Sequence, residues 1–169
     1  MKTAELLADA FGRIRDVVHQ SAAGLTAEQL AFRPGPDANS IGWLLWHLTR
    51  VQDDHVSEVA GTEQAWTADG WAERFALPFG DEATGWGQSS EEAGAVRVPS
   101  ADLLTGYHDE VHARTLAFLA TVTDAGLDTI VDERWDPPVS LGVRLVSVIS
   151  DDLQHAGQAA YLRGLVLAG

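Results

Sequence analysis

Hydrophobic residues recur every three or four positions in four long segments of the chain, which is the spacing of amphipathic helices. These segments predict helices over about residues 3–22, 40–61, 100–122 and 140–167. Asn39 or Ser40 is a suitable N-cap for the second helix, and Gly61 is a natural terminator for it. A short extra helix is predicted after Thr26, because Thr26 and Gln29 have the spacing of a capping box.

The stretch over residues 62–98 loses this periodicity, although the helices on either side of it are well defined. A connection of that length inside a compact domain is usually a crossover or a lid. It also frees the flanking helices from the alternating directions that short loops impose. We therefore predict an all-α fold, a four-helix bundle in up-down-down-up order with a long crossover between helices 2 and 3, forming one domain over residues 1–169.

Composition and charge narrow the classes of partner. Hydrophobic residues make up 46 % of the chain, enough for a sizeable core, while 11 Lys+Arg against 25 Asp+Glu give a net charge of −14. Such an acidic surface repels phosphate backbones and anionic headgroups, which argues against nucleic acid and membranes as partners. No apolar run approaches the roughly 18 residues of a membrane span, and the first residues do not form a signal peptide, so a cytoplasmic location is expected.

The chain contains no cysteine. Disulfides, thiolate metal ligands and a cysteine nucleophile are therefore excluded. Any sulfur chemistry performed by this protein needs a thiol that arrives with a substrate.

Three side chains on two predicted helices have the chemistry of a metal site. Asp151 and His155 lie four residues apart, on one face of the last helix and at the margin of its apolar surface. His47 lies in the almost wholly apolar stretch at residues 41–48 and points inward as well. Two imidazoles and one carboxylate form the ligand set of an open metal site, with a position left for water or substrate. The spacing also fits a hydrogen-bonded core histidine, which is the more frequent case, with Asp151 satisfying His47 or an arginine.

A rival pair of histidines lies on the third helix. His108 and His112 have the spacing of a zinc-binding helix, but Asp109 stands where the zinc-protease pattern has Glu. The stronger core stripe runs through Tyr107 and Val111, about 100° to the side of these histidines. We therefore predict that they lie on a solvated face.

The tryptophans divide into two groups. Trp43 and Trp46 are predicted to pack in the core. The three tryptophans of the long connection are candidates for a pocket wall, since exposed loops seldom carry so many without a packing partner: Trp66, Trp71 and Trp86. Two further histidines are predicted to lie on the surface: His19 and His55.

Two segments of the chain resemble a known family. The sequence RLVSVISDDLQHAGQAAYLRG at residues 144–164 resembles the last helix of the DinB-like (YfiT-like) metal-binding bundles, and NSIGWLLWH at residues 39–47 resembles their second helix. The Trp-x-Pro-Pro lead into the last helix, at residues 135–138, strengthens the likeness. The resemblance covers nearly the whole chain and implies a single DinB-like helical domain.

One departure from the common pattern points to a branch of that family. Many members bind metal through three histidines, whereas this chain has Asp151 at the first position of the last-helix pair. A His, carboxylate, His set is similar to that of the mycothiol-dependent branch, which includes maleylpyruvate isomerases and mycothiol S-transferases. Those isomerases carry an additional C-terminal domain that this sequence lacks, which favours the S-transferase interpretation.

The resemblance implies a metal-dependent thiol S-transferase. His47, Asp151 and His155 would bind a divalent metal, with Zn²⁺ the first expectation, and the metal-bound thiolate of a low-molecular-weight thiol, mycothiol, would attack an electrophilic small molecule in a detoxification reaction. Asp54 and Gln158 are expected to orient the ligands. Arg144 and Trp43 are expected to contact the substrate.

Two alternatives stay open at this stage. One is a non-catalytic helical bundle that binds a small ligand or a partner, with the triad as a hydrogen-bond network. The other is a metal-dependent hydrolase that uses metal-bound water and needs no thiol. Helical bundles with apolar outer stripes often dimerise, so a homodimer is an expectation as well.

Overall fold

The computed structural model describes residues 2–168, so Met1 and Gly169 of the predicted domain lie outside the described residues. Four long helices carry most of the chain: α1 (Thr3–Ala22), α3 (Ile41–Ala60), α7 (Ala101–Leu119) and α8 (Leu141–Ala168). Four short helices complete the helical part: α2 (Ala27–Leu30), α4 (Ala65–Ala68), α5 (Trp71–Phe75) and α6 (Ser90–Ala95). The prediction of an all-α fold is confirmed.

The predicted helix ends agree closely with the structure. The Ser40 hydroxyl accepts a hydrogen bond from the Trp43 amide, and Gly61 ends α3 in the left-handed conformation with φ 67°. Thr26 and Gln29 form the predicted capping box of α2. α7 ends three residues earlier than predicted, because the amide of Val122 bonds to the carbonyl of Leu119, in the tighter i to i+3 pattern.

The core lies between the four long helices, where α1 and α3 each pack against both α7 and α8. Its largest fully buried side chains include Phe11, Trp46, Leu48, Tyr107 and Leu145. Side-chain contacts between α3 and α7 include Thr49 with His108, Gln52 with Thr115 and Asp53 with Tyr107. Within residues 2–168, no helix combines the length and apolar character that crossing a membrane requires.

A short ribbon that the sequence did not predict precedes α8. It consists of 3₁₀ helix Ala125–Asp128 followed by the antiparallel strands β1 (Ile130–Asp132) and β2 (Val139–Ser140). With two and three residues the strands are too short for the period-2 pattern to stand out in a sequence.

A buried arginine fixes the long connection between α3 and α7. Arg50, only 1 % exposed, donates from Nε to the carbonyl of Ala83 at 3.1 Å and from Nη2 to the carbonyl of Asp81 at 3.3 Å. Its Nη1 donates to Gln64 Oε1 at 2.7 Å, and the guanidinium lies over the ring of Trp66. Because these contacts consume the donors of a buried charge, they hold residues 81–83 against α3.

The prediction of a solvated face for His108 was wrong. Its side chain is fully buried, and Nδ1 lies 3.1 Å from the hydroxyl of Thr49. The physical reason is that α7 packs against α1 and against α3, so its buried surface is wider than one stripe. Burial lowers the pKa of His108 to about 3.

The other aromatic predictions had mixed outcomes. Trp43 and Trp46 are buried, as predicted. Trp66 is buried and packs on Tyr107, whereas Trp86 is 87 % exposed and lines a cavity. His55, predicted on the surface, is half-buried in a cavity wall, and His19 is half-buried beside Asp109.

Candidate metal centre

Three side chains from α3 and α8 meet at one point of the core margin. His47, Asp151 and His155 each offer a ligand atom, and these atoms all lie within 4.8 Å of one another, so the group can hold a metal ion. The rings of His47 and His155 are 4.9 Å apart between centroids, and His155 Nε2 lies 3.7 Å from Asp151 Oδ1. The i,i+4 spacing on α8 places its two ligands one turn apart, facing α3.

The tautomer of His47 is fixed by the loop that Arg50 holds. His47 Nδ1 lies 2.5 Å from the carbonyl oxygen of Thr84. A carbonyl oxygen only accepts hydrogen bonds, so Nδ1 carries the hydrogen, and the lone pair of Nε2 is left for a metal. The next residue, Gly85, has φ 96°, and a Cβ there would meet Nδ1 at 2.7 Å. The backbone can approach the ring this closely only because residue 85 is glycine.

His155 is oriented in the same way by its own helix. Its Nδ1 lies 3.0 Å from Gln158 Oε1, one turn further along α8. The amide oxygen accepts from Nδ1–H, so Nε2 of His155 also presents its lone pair. Gln158, which is predicted to orient the ligands, thus contacts one of them.

Asp151 supplies the charge of the group. Its Oδ2 is buried, and no hydrogen-bond partner for it occurs within residues 2–168. A buried carboxylate oxygen without a partner is costly, and a cation is one of the few groups that would compensate it. The donor set of two imidazole nitrogens and one carboxylate oxygen fits Zn²⁺, and it suits other divalent first-row ions as well.

Electrostatics favour the neutral form of the histidine on α3. Burial lowers the pKa of His47 below the usual histidine value, and the hydrogen bond to Thr84 offsets part of this pKa shift. A lowered pKa means that protons compete less with a metal for Nε2. Next to Asp151 in sequence, Asp152 is fully buried, and burial raises its pKa well above the usual aspartate value.

An indole ring completes the environment of the two imidazoles. Trp43 stacks on His47 with centroids 4.5 Å apart and meets the edge of His155 at 6.0 Å. Trp43 Nε1 donates to Gln88 Oε1 at 2.8 Å, and this hydrogen bond joins the indole on α3 to the long connection. Trp43 thus packs beside the predicted ligands, one turn before His47 on α3.

A cavity of about 470 Å³ opens beside His47 and Asp151. Its wall includes Arg144, which donates to Asp132 Oδ2 at 2.8 Å and contacts His55 Nδ1 at 3.1 Å. The Nε of Arg144 is buried, and within the described residues it has no partner. Hydrogen bonds from Arg134, and a further one from Arg144, hold the pKa of Asp132 well below its usual range. An anchored guanidinium in a cavity wall suits an oxygen acceptor on a ligand.

The predicted site residues do not all lie together. The structure brings together His47, Asp151, His155, Gln158 and Trp43, while Arg144 lines the adjoining cavity. The carboxylate of Asp54 also lines that cavity, but it accepts a hydrogen bond from Gln64, at 2.7 Å, instead of contacting a predicted ligand.

Sequence reasoning missed the contributions of the loops. Thr84 acts through its backbone carbonyl, Gly85 through its lack of a side chain, and Gln88 through a contact across the connection. The one available signal was Thr84-Gly85-Trp86-Gly87, an aromatic residue between two glycines in an otherwise polar loop.

An all-α fold in which two histidines and a carboxylate converge beside a cavity defines a helical protein with a candidate metal site. The chain belongs to the mycothiol-S-transferase family, whose model matches residues 6–168. A solved structure, described as the crystal structure of the conserved protein of locus from Enterococcus faecalis, is similar with a TM-score of 0.93 and 34 % identity. That match covers 100 % of this chain and 99 % of the other. No curated protein matches.

Proposed function

We propose that this chain is a metal-dependent transferase that joins mycothiol to an electrophilic small molecule. The observation that carries the proposal is the convergence of His47, Asp151 and His155 at the edge of a cavity, in a chain that belongs to this family. We further propose that the fold is the up-down-down-up bundle predicted above, because the long connection between α3 and α7 allows these two helices to run in the same direction. We also propose that the reaction serves detoxification in the cytoplasm.

The charge of the ligand set supports a thiol as one reactant. Two neutral imidazoles and one carboxylate leave a divalent ion, Zn²⁺ in the first instance, with one uncompensated positive charge. When bound, that ion would lower the pKa of a thiol so that its sulfur is held as the thiolate. Because the chain has no cysteine, no thiol of its own competes for that position.

The residues around the ligands would keep the two imidazole rings in the orientation that metal binding requires. The Thr84 carbonyl and the Gln158 amide oxygen each fix an imidazole with Nε2 toward Asp151. Trp43 stacks on the ring of His47 and limits its rotation. Groups of this kind typically change metal affinity or activity 10- to 100-fold when they are removed, so their roles are open to measurement.

The cavity next to the ligands would hold the electrophile. Val51 and Val148 give it apolar walls, and the indoles of Trp86 and Trp135 lie at its exposed side. Arg144 would bind a polar oxygen of the electrophile, because Asp132 and His55 hold its guanidinium in place. An apolar wall with one anchored polar group is typical of small-molecule sites.

Conjugate formation from mycothiol and a fluorogenic electrophile such as monochlorobimane tests the proposal. The Zn²⁺-loaded protein should form the thioether product with release of chloride. Both EDTA treatment and Asp151→Asn should reduce the rate by more than about 100-fold with the helical circular dichroism retained. Asp102→Asn, an exposed carboxylate on α7, is the matched control and should keep the rate.

Two other outcomes would replace the proposal. Consumption of ester or amide substrates that depends on the metal and not on a thiol would identify a hydrolase. If the protein catalyses neither thiol conjugation nor hydrolysis, and if EDTA changes neither its fold nor its ligand binding, it is a non-catalytic binding protein. The triad is then a hydrogen-bond network.

A further inference from the structure

A second cavity lies on the other side of His47. Its volume is about 340 Å³, and it shares two lining residues, His47 and Trp86, with the larger cavity described above. The two cavities therefore meet at a metal-ligand candidate and at an exposed indole. In an S-transfer reaction, the rest of the thiol molecule and the electrophile lie on opposite sides of the reacting sulfur. The two cavities offer a separate volume for each of them.

The walls of the smaller cavity, unlike those of the larger one, are rich in uncharged hydrogen-bonding groups. The residues that line it include Asn39, Gln88, Ser89, Ser90 and Asp37. The hydroxyls of the two serines donate within the protein, so they can offer a ligand only acceptor lone pairs. Neither Arg nor Lys occurs among its described lining residues, so it is a poor site for a phosphate or carboxylate group. Amides, hydroxyls and one carboxylate instead complement a neutral ligand with many hydroxyl groups.

The cavity is held in shape before any ligand binds. Two of its walls are the segment before α3 and the start of α6, and Arg33 joins these two by donating to Ser90 Oγ at 2.7 Å and to the carbonyls of Pro36 and Ala38. Ser90 Oγ in turn donates to the Pro36 carbonyl at 2.6 Å. A preformed array of this kind lowers the entropy cost of ordering side chains around a ligand.

Gln88 links this cavity to the metal centre. Its Oε1 accepts from Trp43 Nε1, which leaves the amide N–H groups of Gln88 as donors at the cavity wall. Trp43 itself stacks on His47. A ligand that fills the smaller cavity would thus sit beside the imidazole that presents its lone pair to the metal position.

We propose that the smaller cavity is the subsite for the hydroxyl-rich carrier of the thiol, bound by Asn39, Gln88 and Asp37, while the larger cavity takes the electrophile. This inference rests on the proposed function. It assigns the two reactants to opposite sides of His47 and makes Asn39 and Asp37 determinants of thiol choice. A site built to hydrogen-bond substrate hydroxyls discriminates strongly against an analogue that lacks them.

The test compares two thiols that share the same reacting group. Mycothiol carries its acetylated cysteine on an aminosugar–inositol unit, and N-acetylcysteine lacks that unit. The ratio of kcat/KM for mycothiol to kcat/KM for N-acetylcysteine, with one electrophile, isolates the carrier, because metal, thiolate and electrophile are common to both. It is measured for the Zn²⁺-loaded wild type, Asn39→Leu, Asp37→Asn and the control Asp102→Asn.

We expect the wild type to favour mycothiol at least ten-fold, and Asn39→Leu to lower that ratio by about ten-fold or more, with metal content and circular dichroism unchanged. Asp37→Asn should lower the ratio less, and Asp102→Asn should leave it at the wild-type value. A wild-type ratio near one, or ratios that stay within two-fold of the wild type in both cavity variants, would overturn the subsite. Failure of the proposed function looks different, because the wild type would then consume neither thiol.

Discussion

A methyl group at Gly85 tests how closely the loop must approach the metal centre. A Cβ at this position would lie 2.7 Å from His47 Nδ1 and 3.1 Å from Trp46 Cζ3, whereas ordinary contacts begin at 3.4 Å. The ring or the loop must therefore move by roughly 0.7 Å to restore normal contact. Metal sites tolerate displacements of only about 0.2 Å in their ligand distances. We expect Gly85→Ala to weaken metal binding at least ten-fold, within the range of about 10 to 100 for lost supporting contacts.

Gly87→Ala is the matched control for this substitution. Gly87 lies in the same loop and also has a positive φ, 74°, but a Cβ there has nothing within 4 Å. Both alanines carry the backbone strain of about 1–3 kcal/mol that a positive φ imposes, so the close contacts with His47 and Trp46 separate them. Chelator competition for Zn²⁺, with thermal unfolding measured on the metal-free proteins, provides the comparison. Equal Zn²⁺ affinities for the two variants would refute the reasoning.

Three further predictions concern single side chains. His108 is neutral in the fold, where its pKa is about 3, but in the unfolded chain it takes up a proton near pH 6.5. The free energy of unfolding should therefore fall as the pH drops from about 6.5 toward 3, by up to about 1.4 kcal/mol per pH unit. His108→Gln should flatten this slope in urea titrations, and an unchanged slope would contradict the prediction. Gln158→Leu should weaken Zn²⁺ binding about 10- to 100-fold, whereas Gln158→Glu should keep the wild-type affinity because it retains an acceptor for His155. Equal losses of Zn²⁺ affinity in the two variants would argue against an orienting role for Gln158. Arg50→Lys should loosen the loop that carries Thr84, and we expect faster amide hydrogen exchange in that loop together with weaker Zn²⁺ binding. Amide exchange at the wild-type rate would contradict this prediction.

The elements that sequence predicts best here are those that local rules determine. The caps at Ser40 and Gly61 follow from side-chain and glycine chemistry within a few residues, and they define α3 almost to the residue. The i,i+4 relation of Asp151 and His155 follows from helix geometry alone. Their convergence with His47 depends on the packing of α3 against α8. Without the family resemblance, the residue pattern left both a metal site and a hydrogen-bond network open.

The parts that sequence could not predict depend on long-range contacts. Thr84 supports His47 through a backbone carbonyl, and every residue has one, so the identity of residue 84 carries no signal for this contact. The loop is placed by Arg50, whose burial depends on packing between α3 and the long connection. His108 is buried, contrary to the prediction, because two neighbouring helices cover α7 and its buried surface is wider than the one stripe that the sequence pattern shows.

The most direct test of the central claim is the metal content of the untagged protein after Zn²⁺ reconstitution, measured by elemental mass spectrometry beside His155→Ala. The account predicts about one equivalent of divalent metal in the wild type and almost none in the variant, with the same helical circular dichroism in both. Metal in neither protein, or an equal amount in both, would contradict a metal centre at His47, Asp151 and His155.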